Sequence, residues 1–248
     1  MNNNRKGIRW VRFALVLIIS GIVGGVIGFF SLVGTAMVDV QAVLAQLEQG
    51  MAVHVNALLV GGTAVLLAIA LLLFGTGYRM YADGVRSEDD ARIESGDRRM
   101  GMGLGITTLG FIWDFFVFGT ACGAENLGIV FVAVFLVCVI MICVVQVKMI
   151  DWTKKLMPEK RGDATRMNFQ KEWMESCDEA EQYAVFKACY RTHMFMQKLM
   201  LVLIVLCLLA RLMLGIGMSA LVAVSLIWAA QTIVYTIFSS KYSAEKLN

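Results

Sequence analysis

Long apolar runs alternate with polar stretches along the chain, and the runs are long enough to cross a lipid bilayer. A spanning helix needs about 20 mostly apolar residues. Runs of about that length cover residues 13–35, 53–75, 101–119, 127–147, 199–215 and 218–238. Short links join them in pairs, and none shows the alternation of a membrane β-barrel. The pattern predicts an all-α, polytopic membrane protein, one membrane domain over 1–248 with six transmembrane helices in three hairpins.

Composition agrees with this class, because 58% of the residues are hydrophobic and only one is proline. A soluble domain of 248 residues could not bury that much apolar surface. Four basic residues precede the first run, which is also how a secretory signal begins. That run is longer than the apolar region of a signal, and no small-residue cleavage site follows it. We therefore expect a retained first span.

The basic residues predict the orientation, since cytoplasmic loops hold the excess of Lys and Arg. The amino-terminal tail carries 4 of them, the stretch 78–100 carries 5, the stretch 148–198 carries 10 and the carboxyl-terminal tail carries 2. Only Arg211 lies toward the other side. Both termini are therefore predicted to be cytoplasmic. The formal charge of +3 follows from this topology and indicates no direct binding of nucleic acid.

The sequence offers no recognisable set of catalytic or metal-binding residues. Of the six cysteines only Cys122 reaches the predicted outer side, so no disulfide framework is expected. The chain has two histidines, too few and too far apart for the serine or metal chemistry of intramembrane proteases. Phosphate-binding loops and dinucleotide glycine motifs are missing. We expect no enzyme, no cofactor and no metal, with an unrecognised membrane enzyme as the third alternative.

Small residues recur at four-residue spacing in the first run, and such spacing lets two helices approach closely in lipid. They are Ser20, Gly21, Gly24, Gly25 and Gly28. The spacing predicts helix packing within the chain or, alternatively, a homodimer face.

Two charges lie inside predicted spans, where they are costly. Asp114 and Arg211 each follow the polar border of their span, Gly101 or Lys198, by 13 residues. At 1.5 Å per residue both sit about 20 Å into a core about 30 Å thick. Equal depth and opposite charge favour an intramembrane ion pair between them. The alternative is that Arg211 extends to the outer headgroups.

The polar stretch 78–100 is nearly neutral and predicts a short solvated helix with turns. Ser87 followed by Asp90 is typical of a helix start, because the hydroxyl can cap amides and the acid favours the positive end.

The longest polar segment is residues 148–198, hereafter the island. Apolar residues recur in it at helical spacing from Phe169 and Trp173 to Ala184, which predicts that residues 167–192 are mostly helical with both aromatic residues buried. The stripe must be covered by the bundle itself, the lipid surface or a protein partner. The candidate partner-contact residues are Phe169, Trp173, Ser176, Asp178, Glu179 and Glu181.

The island also carries a resemblance to a known family. The runs P-E-K-R-G-D from Pro158, F-Q-K-E-W-M-E-S-C-D-E-A-E from Phe169 and F-K-A-C-Y-R from Phe186 resemble a bacterial membrane-protein family catalogued as domain of unknown function 3169. The resemblance implies a multi-span protein of the bacterial cell membrane and brings no activity or cofactor. Members of the family are often encoded near helix-turn-helix regulators, which implies a regulatory or accessory role.

We therefore expect a non-enzymatic membrane protein whose island contacts a partner, either a transcription regulator or a transporter subunit. The alternative is a small transporter or channel that uses Asp114 and Arg211.

Overall fold

The computed structural model describes residues 40–123, 128–214 and 217–245, together with Leu15. Every regular element with described bounds is an α-helix. In chain order they are α1 (Val40–Val53), α2 (Val55–Ser87), α3 (Asp90–Gly123), α4 (Ile129–Leu156), α5 (Phe169–Glu175), α6 (Glu179–Leu214) and α7 (Ser219–Glu245). The all-α prediction is confirmed for this part of the chain.

Five of these helices, α2, α3, α4, α6 and α7, are long and apolar enough to cross a membrane. They contain the second to the sixth predicted runs. The prediction of a helical protein with several membrane-crossing segments is therefore confirmed. Apart from Leu15, the first run 13–35 lies outside the described residues, and so do the small residues Ser20, Gly21, Gly24, Gly25 and Gly28. The first span, and with it the total of six, stays a prediction, as does the position of the termini.

The helices continue well beyond their apolar runs, so the predicted separate helix in stretch 78–100 is wrong. α2 runs to Ser87, Glu88 turns the chain with a φ of 54°, and α3 begins at Asp90. Ser87 does not start a helix, because its hydroxyl donates back to the carbonyl of Asp83 at 2.9 Å. Asp89 caps α3 instead, accepting the Arg92 N–H at 3.2 Å.

Glycines explain how α2 and α3 form one long hairpin beyond the apolar runs. A Cβ added to Gly96 would lie 2.5 Å from the backbone nitrogen of Tyr81, and one added to Gly77 would lie 2.8 Å from the Gly96 carbonyl oxygen. Real Cβ atoms do not approach so closely, so these positions accept no larger side chain without movement. The hairpin packs backbone against backbone.

Two apolar clusters fix the directions of α2, α3 and α4, which lie in a compact unit of residues 45–185. The starts of α2 and α4 meet the end of α3 in a cluster of Val55, Leu59, Val117, Ala121, Phe131, Phe135 and Cys138. The opposite ends meet in a cluster of Phe74, Met100, Met149 and Met157. α2 and α4 are therefore parallel, and α3 runs against both.

The second compact unit contains residues 1–44 and 186–248, of which the structure describes mainly the rest of α6 and α7. Trp228 of α7 donates its indole N–H to Gln197 of α6 at 3.0 Å. The His193 ring stacks on Tyr235, with the ring centroids 4.3 Å apart. These contacts join α6 and α7 as a hairpin.

Candidate functional site in the polar island

The first half of the island folds back on the membrane helices that precede it. α4 ends at Leu156, and Met157 is buried in the second apolar cluster. The loop then turns at Gly162, whose φ of +101° favours glycine. A Cβ there would lie 3.0 Å from the Phe169 carbonyl oxygen. Lys154 donates to the Gly162 carbonyl, so the loop is fastened to α4 on one side and packed on α5 on the other.

A buried lysine lies at the centre of this arrangement. The Lys160 side chain is only 5% exposed, and its ammonium forms an ion pair with Glu181. The Cys177 sulfur lies 3.6 Å from the same Nζ atom. Burial pulls the pKa of Lys160 down, but the hydrogen bond and charge of Glu181 outweigh it and hold that pKa above its ordinary value. Lys160 is therefore a charged group inside the protein, which is stable only while its partner stays in place.

Glu181 also builds the start of α6. Its N–H donates to the Asp178 carboxylate at 2.7 Å, while its own carboxylate accepts the Asp178 N–H at 3.1 Å. This reciprocal pair is a capping box. One carboxylate thus holds both the first turn of α6 and the buried ammonium of the loop. Glu181 couples the helix start to the loop fold.

Residues 167–192 are mostly helical, as predicted, but the helix is interrupted, so the apolar stripe from Phe169 to Ala184 does not lie on one helix. α5 ends at Glu175 and α6 begins at Glu179. In the break, Ser176 accepts the Arg161 N–H at 3.1 Å and donates to the Trp173 carbonyl at 2.6 Å. The physical reason is that these side-chain bonds and the capping box satisfy backbone groups that a continuous helix would have used.

The aromatic residues of α5 pack together but are not fully covered. The ring centroids of Phe169 and Trp173 are 5.5 Å apart. Both side chains are half-buried, whereas the sequence predicted burial. Among the six candidate contact residues, only the exposed Glu179 makes no described side-chain hydrogen bond, ion pair or ring contact. The other five contribute to the fold of the island, and contact with a partner stays a prediction for all six.

The island lies against the ends of α2 and α3 in its own unit. Tyr81 of α2 and Asp97 of α3 both lie within electrostatic range of Lys160 and Glu181. Lys160 and Glu181 are therefore close to the chain's own helices, whereas most residues of the loop 161–168 are exposed. Which of the three environments covers the apolar stripe stays a prediction.

Sequence reasoning missed an exposed apolar stripe further along α6. Phe186, Tyr190 and Met194 recur every four residues, so they share one face of the helix. They are 61%, 61% and 44% exposed. The signal was present in the spacing of these residues, which lie before the apolar run at Leu199 and outside the stripe that was predicted.

Asp114 occupies a different environment, inside the bundle of α2, α3 and α4. Its side chain is fully buried, and the Thr63 hydroxyl lies 2.5 Å from Oδ1. Within the described residues, Oδ2 has no hydrogen-bond partner. Arg211 is exposed on α6 and belongs to the other compact unit. The ion pair between Asp114 and Arg211 therefore stays a prediction.

Metal ligation has no obvious place in the described part of the chain, where no three His, Cys, Asp or Glu side chains cluster suitably. The chemistry available in the island is that of charge pairing and surface contact.

A sequence model of the family described as protein of unknown function (DUF3169) matches residues 8–239. The match extends far beyond the island, where the resemblance was first visible. Comparison with curated proteins and with solved structures gives no significant match.

Proposed function

The chain belongs to the DUF3169 family, and we propose that it is a non-enzymatic, multi-pass protein of the bacterial cytoplasmic membrane with a regulatory or accessory role. In this proposal the island presents a preformed surface to a protein partner, either a transcription regulator or a transporter subunit. The observation that carries it is the exposed stripe of Phe186, Tyr190 and Met194 on α6.

Two properties of the island support a binding role. A segment that only joined two helices would not require a buried ammonium, whose desolvation is costly. Fixing a loop before binding lowers the entropy lost on association. Large apolar and aromatic side chains on a polar helix are typical of the centre of a protein interface. Each of the two properties suits a role in binding a protein partner.

Partner binding is tested by removing the stripe. We expect Phe186→Ala with Tyr190→Ala to weaken partner binding by about 10-fold or more, because exposed aromatic anchors dominate interface energies. The matched control is Phe195→Ala, since Phe195 is 63% exposed and lies on the opposite side of α6. Native mass measurement of the complex in mild detergent reports binding. The proposal fails if the chain has no stoichiometric partner, or if both variants lose it equally.

The proposed orientation, with both termini and the island in the cytoplasm, is supported by the distribution of basic residues. We expect an impermeant maleimide to label Cys122, which is exposed near the end of α3, in intact cells. Cys177 and Cys189 should react only after permeabilisation. Labelling of Cys189 in intact cells would reverse the orientation.

The second candidate is a small transporter or channel, and Asp114 is the observation that favours it. A buried carboxylate with an unpartnered oxygen is a group at which a proton or cation can bind. Flux measured in proteoliposomes should then be lost in Asp114→Asn, whereas Thr63→Val should alter its pH dependence. If the chain supports no proton or cation flux, this candidate is rejected.

A further inference from the structure

A cavity of about 310 Å³ lies between α2 and α4, at the end of the bundle where the island begins. Its lining combines three kinds of residue. The apolar part is Leu71, Phe74 and Gly75, the aromatic part is Tyr78 and Trp152, and the charged part is Arg79 and Lys155.

Along the helices the lining changes from apolar to aromatic to charged residues, as the surface of a membrane protein does from the lipid core to the headgroups. The α2 residues of the cavity follow one another from the end of the apolar run 53–75 into the polar part of the helix. On α4, Trp152 and Lys155 come just after the run 127–147. The rings of Phe74 and Trp152 are 6.1 Å apart, which brings the two helices together at this level. Trp and Tyr prefer the headgroup region, so the cavity lies at the depth of lipid headgroups.

The two cations of the cavity form no salt bridge within the described part of the chain. Arg79 and Lys155 are exposed, and neither forms an ion pair with another described residue. The acidic side chains four residues away are Asp83 from Arg79, and Asp151 and Glu159 from Lys155; all three are exposed and make no salt bridge with these cations. The cavity therefore presents two positive charges above an apolar floor.

We propose that this cavity binds an anionic phospholipid. The phosphate lies between Arg79 and Lys155, the headgroup is flanked by Tyr78 and Trp152, and an acyl chain follows the floor formed by Leu71 and neighbouring residues. A soluble phosphate would leave the apolar floor without a contact, and a zwitterionic lipid carries no net charge to match the two cations. Basic pockets between membrane helices suit anionic headgroups for this reason.

The site has a consequence for the island. Lys155 is adjacent to Lys154, which holds the Gly162 carbonyl of the loop. A lipid bound at this point joins α2 to the last turn of α4, directly before the loop that begins at Met157. A bound lipid would thus stabilise the contact between α2 and the end of α4 from which the loop extends.

The experiment uses the full-length chain in phosphatidylcholine vesicles to which phosphatidylglycerol with brominated acyl chains is added. Bromine quenches tryptophan fluorescence at short range, and the contribution of Trp152 is the signal that Trp152→Phe removes. Brominated phosphatidylcholine provides the comparison for unspecific contact. The measured quantity is the mole fraction of brominated lipid that half-quenches Trp152.

We expect phosphatidylglycerol to quench Trp152 at a several-fold lower mole fraction than phosphatidylcholine. Arg79→Gln and Lys155→Gln should each raise that fraction about fivefold, the effect of one cation near an anionic lipid surface. Arg86→Gln is the matched control, because it lies about 10 Å further along α2 and does not line the cavity. It should leave the preference unchanged.

A second variant keeps the charges of Arg79 and Lys155 but fills the cavity. Gly75 lines the cavity, and a Cβ added to it meets no atom within 4 Å. We therefore expect the side chain of Gly75→Leu to occupy the cavity. It should abolish the preference for phosphatidylglycerol while the helical content stays constant.

Three results would overturn the proposal. The first is equal quenching by both brominated lipids. The second is a preference that survives in Gly75→Leu and in the variant lacking both cations. The third is loss of the preference with inorganic phosphate but not with sodium chloride of equal ionic strength, which would assign the cavity to a soluble anion.

Discussion

Lys160 and Glu181 form the ion pair of the island. Removing the carboxylate of Glu181 should open the island more than removing the ammonium of Lys160 does. In Glu181→Gln the capping box can persist, since Gln also serves in it, but Lys160 stays charged in a site where its side chain is 5% exposed. Breaking a fully buried pair costs about 3–5 kcal/mol. The Glu181 side chain is 45% exposed, so water screens the pair, and we expect about 2 kcal/mol.

The opposite substitution removes the buried charge together with its desolvation cost. In Lys160→Met the apolar stem of the side chain is replaced by one of similar size. Glu181 is left half in water and still accepts the Asp178 N–H. We expect a loss of about 1 kcal/mol or less in the free energy of opening the island.

Hydrogen exchange of residues 158–181 in lipid nanodiscs measures this difference. If the free energy of opening the island falls by about 2 kcal/mol, the open population and the exchange rate rise about 30-fold. If it falls by about 1 kcal/mol, they rise about fivefold. The matched control is the exposed pair of Lys171 and Glu175, whose charged atoms are 3.8 Å apart. Glu175→Gln should change exchange less than about threefold.

The reasoning is refuted if Lys160→Met opens the island as much as Glu181→Gln does. It is also refuted if Glu181→Gln behaves like the exposed control Glu175→Gln. Either result would mean that Lys160 is solvated or pairs with another acid.

Three further expectations follow from packing and charge. Gly96→Ala should destabilise the α2–α3 hairpin by about 1–3 kcal/mol, because the new Cβ meets the Tyr81 backbone, whereas Gly101→Ala has open space and should stabilise it slightly; equal thermal shifts would contradict this. Since the pKa of Lys160 is raised in the folded chain, its stabilising contribution is complete below the unfolded value of about 10.4 and is lost as pH rises through the folded value; exchange in the island, corrected for intrinsic rates, should increase at alkaline pH, and Lys160→Met should remove that increase. If Asp114 and Arg211 form an ion pair, neutralising both should destabilise the protein less than the sum of the single changes; additive losses reject the pair.

The membrane class could be predicted from the sequence because transfer into lipid is a property of local composition. Each apolar run contributes to it independently, so five predicted runs reappear as long apolar helices. The ends of those helices could not be predicted in the same way. α2 extends to Ser87 and α3 begins at Asp90, well beyond their apolar runs, because Gly77 and Gly96 allow close contact between the two backbones, which no local pattern contains.

The same limit applies to the island. Helical spacing around Phe169 and Trp173 predicted helix, and α5 and the start of α6 are helical. The break between them depends on Ser176 bonding to Arg161, 15 residues earlier. The helix propensity of neighbouring residues cannot predict a contact between residues this far apart in the chain.

The sequence by itself determined the membrane class, the helical fold, the family and the uneven distribution of basic residues. It treated Lys154, Lys155 and Lys160 alike, as three charges on one side of the membrane. Only the tertiary structure separated them: Lys154 holds a loop carbonyl, Lys155 lines a cavity, and Lys160 is buried against Glu181. The physical reason is that the hydropathy of a run adds up residue by residue, whereas the role of a charge depends on which distant groups the fold brings within a few ångströms of it.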